Sequence, residues 1–283
     1  MTYRLEGCLD LAFVAENADK TILHVLAQQP PLKVIRAFEI ADGSALVHLH
    51  NVSGGVLGGD RLDLTVQVRE KARAQITTTS ATRIYRSVNY RPASQQTNTI
   101  TIEKDAVLEM LPDPLIPFAG SAYQQQTQID LADNAGLFWW ETIAPGREAS
   151  GELFAYDSLS LSMTIRACGQ PIALEAMRLE PTVRPLSARA RLGPYRYFST
   201  FFICRVGRSA PQWTALETEL MALAVSLSND QVVWGVSSLI AHGLIVRCVS
   251  MNSRDIGHGL LVFWQAAKLA LYGLNTTPPR KVY

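Results

Sequence analysis

From its start to about residue 210 this chain keeps returning to one pattern, an apolar side chain at every second position, and that period fits an extended strand rather than a helix. Leu62, Leu64, Val66 and Val68 alternate with Asp63, Thr65 and Gln67. Ile100 and Ile102 are interleaved with Thr99, Thr101 and Glu103, and Leu159, Leu161, Met163 and Ile165 with Ser160, Ser162 and Thr164. Each run describes a strand with one face buried and one wet. Shorter runs over 45–50, 74–79, 107–111, 128–131, 137–143, 172–179 and 197–206 extend the series. Gly43, Gly54 with Gly55, Gly58 with Gly59, and residues 134–136 and 169–171 supply turns between them. The runs show no strict repeat period, so any coiling of the sheet is not visible from their spacing.

After Pro211 the period changes. Trp213, Leu216, Leu220, Leu223 and Leu227 recur at steps of three and four, one face of a helix that Asn229 would end. A second helix is expected over 258–272, with Leu260, Phe263, Trp264, Ala267 and Leu271 on its buried side and Gln265 and Lys268 elsewhere. Two apolar strands separate the helices. The longest apolar stretch, 232–246, is interrupted by Gly235, Ser237, Ser238 and His242, too short and polar for a bilayer, and reads as core. With 48% apolar and 18% charged residues and no linker-like segment, the chain is expected to be one soluble domain over 1–283, strand-rich over 1–210 and mixed over 211–283.

A formal charge of +1 gives no general pull toward nucleic acid or anionic lipid. Four acidic residues within 1–19 exclude a basic-then-apolar leader there, which points to the cytoplasm. Cys8, Cys168, Cys204 and Cys248 are scattered, so neither a disulfide framework nor a zinc knuckle is expected, and they read as buried free thiols.

Catalytic motifs are missing. The glycine cluster Asn51, Ser53, Gly54, Gly55, Gly58, Gly59 and Asp60 lacks the Lys-Ser/Thr of a phosphate loop and runs into a strand, so it reads as a tight loop or a surface for a partner. His48 and His50, two apart on a strand, leave the same face and offer two metal ligands, but nothing nearby completes a set. No nucleophile elbow and no cysteine with a recognisable histidine partner is present. Glu141, Glu148 and Glu152 flank Arg147 and Gly151; acid–base work would need them in one cleft, and a loop braced by Arg147 on one of these carboxylates is the simpler reading. The hydroxyl-rich segment from Thr77 and Thr78 to Tyr85, Arg86 and Ser87 reads as a polar surface strand. Pro112, Pro114 and Pro117 hold an extended segment suited to docking or to a buried connection. No catalytic residue is assigned.

In order along the chain these stretches resemble the UreD (UreH) urease accessory family. The 51–60 loop is similar to the family's Asn-Pro-(Ser/Ala/Thr)-Gly-Gly-x-x-x-Gly-Asp, and 77–87 to its Thr-Thr to Lys-x-Tyr-Arg-Ser strand. The proline segment, the Gly146-Arg147 to Gly151-Glu152 stretch, the sequence 243–247 and the pair Pro279-Arg280 follow. Val52 replaces the usual proline, Arg83 the usual lysine, and Lys268 a common helix arginine whose bidentate pairing lysine does not reproduce. The resemblance implies an elongated, β-helix-like stack of short strands with two helices, and a non-enzymatic scaffold working with UreF and the GTPase UreG on the urease apoprotein. It also implies an internal tunnel for nickel without a tightly bound cofactor. Weak oxygen donors suit transient passage, which makes Asp60, Glu141 and Glu152 the candidates beside His48 and His50. The readings that compete with it are a cytosolic protein-binding module unrelated to nickel and a carbohydrate-active β-helix enzyme, the latter expected to be exported.

Overall fold

The computed structural model describes residues 5–17, 20–86, 92–276 and 278–279; Ser87 and Arg280 of the motifs above lie outside the described residues. The chain opens with the antiparallel hairpin β1 (Glu6–Asn17) and β2 (Lys20–Gln29), then the short β3 (Leu32–Lys33) and β4 (Ala37–Glu39), then β5 (Ala45–Asn51). From there it coils. One turn is β6 (Arg61–Val68), β7 (Arg73–Thr78) and β8 (Thr82–Ile84). The next is β9 (Ser94–Ile102), β10 (Val107–Met110) and β11 (Leu115–Pro117), and a third is β12 (Ala122–Leu131) and β13 (Gly136–Ile143). A 3-10 turn, Glu148–Ser150, leads to the hairpin β14 (Ser158–Ala167) and β15 (Gln170–Leu179). β16 (Tyr197–Arg205), α1 (Ala210–Leu227), β17 (Val232–Ser238), β18 (Gly243–Ser250) and α2 (Ser253–Tyr272) complete the chain.

The coil sorts its strands into two broad sheets. A 7-stranded sheet runs β15-β14-β12-β9-β6-β1-β2, and an 11-stranded sheet runs β17-β18-β16-β13-β10-β7-β5-β3 with β4, β8 and β11 beside that path. β6, β9, β12 and β14 are parallel to one another, as are β5, β7, β10 and β13, the pairing expected when each strand is reached by a full turn of coil. The offset between stacked residues is unequal, 34 from Gln75 to Glu109 and 29 from Asn98 to Thr127, which is why no period is visible in the sequence.

Alternation places the core. Leu64, Val66 and Val68, Ile100 and Ile102, Ile129 and Leu131 all face Val47, Ile76, Leu108 and Leu137 of the other sheet. The helices cover the outer face of the 11-stranded sheet, packing Trp213, Leu216 and Leu220 of α1 and Leu260, Phe263 and Trp264 of α2 on Phe138, Trp140, Phe201 and Leu244. Asn252 caps α2 by accepting the Asp255 N–H at 3.1 Å, so the helix begins at Ser253 rather than 258. A third cluster, including Val56, Ile84, Tyr123 and Tyr156, fills the end of the coil beneath β8 and β11.

Four details differ from the sequence reading. Lys268 is buried, 4% exposed, because it lies one turn after Trp264 on the packed side of α2. Ile240, in the turn between β17 and β18, is 86% exposed, so 232–246 is not core throughout. Thr77 is buried within β7 and not on a polar surface. The four cysteines are free as expected, but Cys204 and Cys248 alone are buried, Cys8 is intermediate, and Cys168 is exposed in a turn at φ 48°. Among the described residues no helix is long and apolar enough to cross a membrane.

Candidate functional site

Four of the sequence motifs, spread over about a hundred residues from Asn51 to Glu152, meet on one narrow side of the coil, each between strands of a successive turn; 243–247 instead lies in β18. Val56 of the glycine loop donates to Arg83 O and accepts from Tyr85 N–H, both at 2.8 Å. β8 pairs in parallel with β11, and Phe118 N–H continues the ladder to Ile84 O at 2.9 Å. Ala144 N–H adds the next corner by donating to Leu115 O at 2.9 Å. Backbone ladders therefore stack the loop, the Tyr-Arg strand, the proline segment and the Gly-Arg loop in that order.

Side chains lock the stack. Asn51 Oδ1 accepts the Ser53 N–H at 3.1 Å, an Asx turn, and Asp60 Oδ2 accepts the Leu57 N–H at 2.9 Å. A Cβ on Gly55 would fall 2.5 Å from the Tyr85 ring and 2.6 Å from Arg83 O, so only glycine lets the loop lie this close. Tyr85 meets Phe118 edge-on with ring centroids 5.1 Å apart, and the Arg147 guanidinium lies 4.6 Å above the Phe118 ring. Arg147 also pairs with Glu152, whose other partner is the Ala119 N–H at 3.1 Å. The loop-bracing role thus falls to Glu152. Val52, Leu57 and Leu153 remain exposed on this side beside Arg83, Arg86 and Arg147.

Beneath the stack, between the two sheets, lies a chamber of about 90 Å³ whose walls mix apolar side chains such as Leu49, Leu64, Met110 and Leu161 with polar ones. Its walls carry a chain of hydrogen bonds. Asn98 Nδ2 donates to Thr127 Oγ1 at 3.0 Å, Gln96 Nε2 to Asn98 Oδ1 at 2.9 Å, and Gln125 Nε2 to Glu141 Oε1 at 2.6 Å. The Tyr123 hydroxyl lies 3.0 Å from both Gln96 Oε1 and Gln125 Oε1, so its one proton serves one of them at a time. Thr78 and Asp113 close another wall, Thr78 Oγ1 standing 3.0 Å from Asp113 Oδ2. Burial pushes the Glu141 carboxyl up to about 7, against the opposing Gln125 and Trp139 N–H groups and with a smaller upward push from Glu175.

Glu141, Ile143 and Leu161 are shared with a second space of about 20 Å³, room for roughly one water. Glu175, Met177, Phe198 and Thr200 in turn border a groove of about 620 Å³ on the surface. At the other end the chamber shares Pro112, Asp113 and Thr142 with a groove of about 420 Å³ against α2, lined also by Pro114 and Pro279.

Of the five residues expected to meet nickel, Glu141 lines these spaces and the other four do not. Asp60 braces the glycine loop and Glu152 holds Arg147. His48 and His50 share a face of β5 as expected, but it is the outer face, since Ala45 and Val47 fill the core and Leu49 the chamber. His48 meets the edge of Phe38, and burial and then the His48 charge lower the tendency of His50 to take a proton. Among the described residues no three His, Cys, Asp or Glu side chains converge on a common point. Gln96, Asn98, Tyr123, Gln125, Thr127 and Glu175 were not singled out by motif. Period two would have found five of them, because Gln96 and Asn98 precede Ile100, and Tyr123, Gln125 and Thr127 precede Ile129, on the same inward face.

The family model described as UreD urease accessory protein matches residues 5–283. A urease accessory protein UreD of Herpetosiphon aurantiacus is 51% identical over 281 residues, covering 99% of this chain and 97% of that one. Proteins of the same description from Bacillus sp. strain TB-90 and Cenarchaeum symbiosum are 30% and 33% identical, over 97% and 85% of this chain and 98% and 84% of theirs.

Proposed function

This chain belongs to the UreD family of urease accessory proteins, and from that premise we propose that it matures urease as a non-catalytic scaffold that conducts nickel to the apoenzyme. Nickel is here the cargo. The observation that carries the reading is the succession of spaces between the sheets, entered beside Pro112 and Asp113 and leaving past Glu175, with Glu141 at its narrowest part. Amide, hydroxyl and carboxylate oxygens line the chamber, and such donors hold a divalent cation loosely, whereas thiolate or imidazole cages retain it. Burial leaves the Glu141 carboxyl poised near neutrality where the path admits about one water, so a cation shed of most of its hydration displaces its proton, is met there by the carboxylate and is released into wider space.

The stacked side bearing Tyr85, Phe118, Arg83, Arg86 and Arg147 is the surface we assign to assembly with UreF and, through it, with UreG and the urease apoprotein in the cytoplasm. Aromatic and arginine side chains over a rigid backbone ladder are the residue types that dominate protein interfaces.

The test is the nickel content of urease purified from cells co-expressing the structural subunits and all accessory proteins. Glu141→Gln and the neck-filling Thr200→Leu should lower nickel per urease while the accessory complex still assembles. Fully loaded urease with both variants would remove the conduit; a complex that survives replacement of Arg83, Arg86 and Arg147 together by glutamate would remove the assignment of the surface.

A further inference from the structure

The 11-stranded sheet is wider than the sheet that faces it. On its inner face Glu141, Thr200, Arg247 and Gly235 lie in one cross-strand row, and Ile143, Phe198, Val249 and Val233 in the next. Leu161, Met163 and Met177 roof the β13 end of both rows at the neck. The 7-stranded sheet stops at β15, so the inner faces of β18 and β17 emerge uncovered: Val233 is 43% exposed, and a Cβ on Gly235 would meet nothing within 4 Å. This overhang floors the groove of about 620 Å³.

The wall of the groove is itself incomplete. β15 ends its sheet and pairs, among the described strands, with β14 only, so one edge of its backbone lacks a strand partner. Next to the apolar floor stand Arg178, Arg191 and Arg247, and the single carboxylate among the lining residues is Glu175, 3.3 Å from Arg247. Two copies of this chain apposed through the groove would bring six arginines together, which disfavours a symmetric contact.

We propose that this overhang is a docking groove for an extended segment of a partner protein, alternating apolar with acidic side chains, which adds to β15 as a further strand. Its apolar side chains cover Val233 and Val249, and its carboxylates meet Arg178, Arg191 and Arg247. They compete with Glu175 for Arg247 and with Glu180, 2.8 Å from Arg178, for Arg178. The free edge selects an extended backbone and the arginines select its charge. This is independent of whether nickel passes through the chamber.

The full chain can be titrated with short fluorescein-labelled peptides, blocked at both ends, in which valine alternates with glutamate or with lysine. The glutamate peptide should raise polarisation saturably and bind at least about tenfold more tightly than the lysine peptide. Arg178→Glu combined with Arg191→Glu should reverse that preference. Gly235→Trp, placed in open space, should abolish binding with the unfolding midpoint retained, and amide exchange should slow in β15 and β17 on binding. Equal binding of the two peptides, indifference to Gly235→Trp, or protection confined to other strands would overturn the proposal. So would a dimer in sedimentation that Gly235→Trp dissolves, which would give the face to a second copy.

Discussion

Lys268 Nζ of α2 stands 2.6 Å from Glu109 Oε1 of β10 and 2.8 Å from Asp42 Oδ2, a buried ion triad that fastens the last helix to the outer face of the coil. Gln75 Nε2 completes it from β7, donating to Glu109 Oε2 at 2.7 Å. Burial disfavours the lysine charge, but Glu109 and Asp42 outweigh it and hold the ammonium. Removing the cation alone strands Glu109, which is 3% exposed. Lys268→Met should therefore cost about 3–5 kcal/mol in urea unfolding, and the triple change with Glu109→Leu and Asp42→Asn should recover most of it. A single variant as stable as the parent would mean that the triad is not formed in solution.

Glu141 makes stability depend on pH in a defined direction. Its carboxyl is raised from 4.5 to about 7, so the folded state binds a proton that the unfolded chain releases. The contribution is present below about pH 4.5 and is lost as pH rises through about 7. Glu141→Gln should flatten this part of the profile, and at about pH 8 it should unfold later than the parent by up to about 3 kcal/mol. Parallel profiles for parent and variant would show an unperturbed carboxyl.

Two glycines of α2 predict opposite outcomes. A Cβ on Gly259 would fall 2.1 Å from the Trp234 indole, which packs directly on the helix backbone, whereas one on Gly257 would meet nothing within 4 Å. Gly259→Ala should cost about 1–3 kcal/mol through overpacking. Gly257→Ala should stabilise by up to about 1 kcal/mol, the helix propensity difference. Thermal unfolding of the pair separates the two effects.

Arg147 separates stability from assembly. Its guanidinium is half exposed, and pairs of this kind add little to folding, so Arg147→Ala should leave the melting temperature within about 2 °C of the parent. If the stacked side meets a partner, the same change should weaken the complex with UreF in a pull-down with purified proteins. An unchanged complex would place the contact elsewhere.

The strands were legible because burial on one face imposes period two, and β6 and β14 show it without interruption. The coil was not, since turns offset by 34 and 29 residues carry no common period. Nor were the corners: β8 and β11 have three residues each, too few for a period, and their stacking is fixed by backbone ladders between segments distant in sequence. His48 and His50 were placed on one face correctly, but which face depends on the sheet opposite. Lys268 misled because a charged residue in an amphipathic helix reads as solvated unless the carboxylates that meet it, here from β10 and the turn before β5, are already known. In the chamber, Asn98 and Thr127 break the apolar stripe of their own strands, a signal that a motif search passes over.

Because the motif-bearing corners come from successive turns, no stretch of the chain can present that surface alone. During synthesis it is absent until the corner that carries Glu152 has left the ribosome and wound onto the three before it, and a one-residue deletion in any turn would shift its corner out of line with its neighbours. A partner that recognises Tyr85, Phe118 and Arg147 together is thereby inspecting the winding of the chain as far as Glu152, so that engagement distinguishes molecules whose first turns are stacked from those in which they are not.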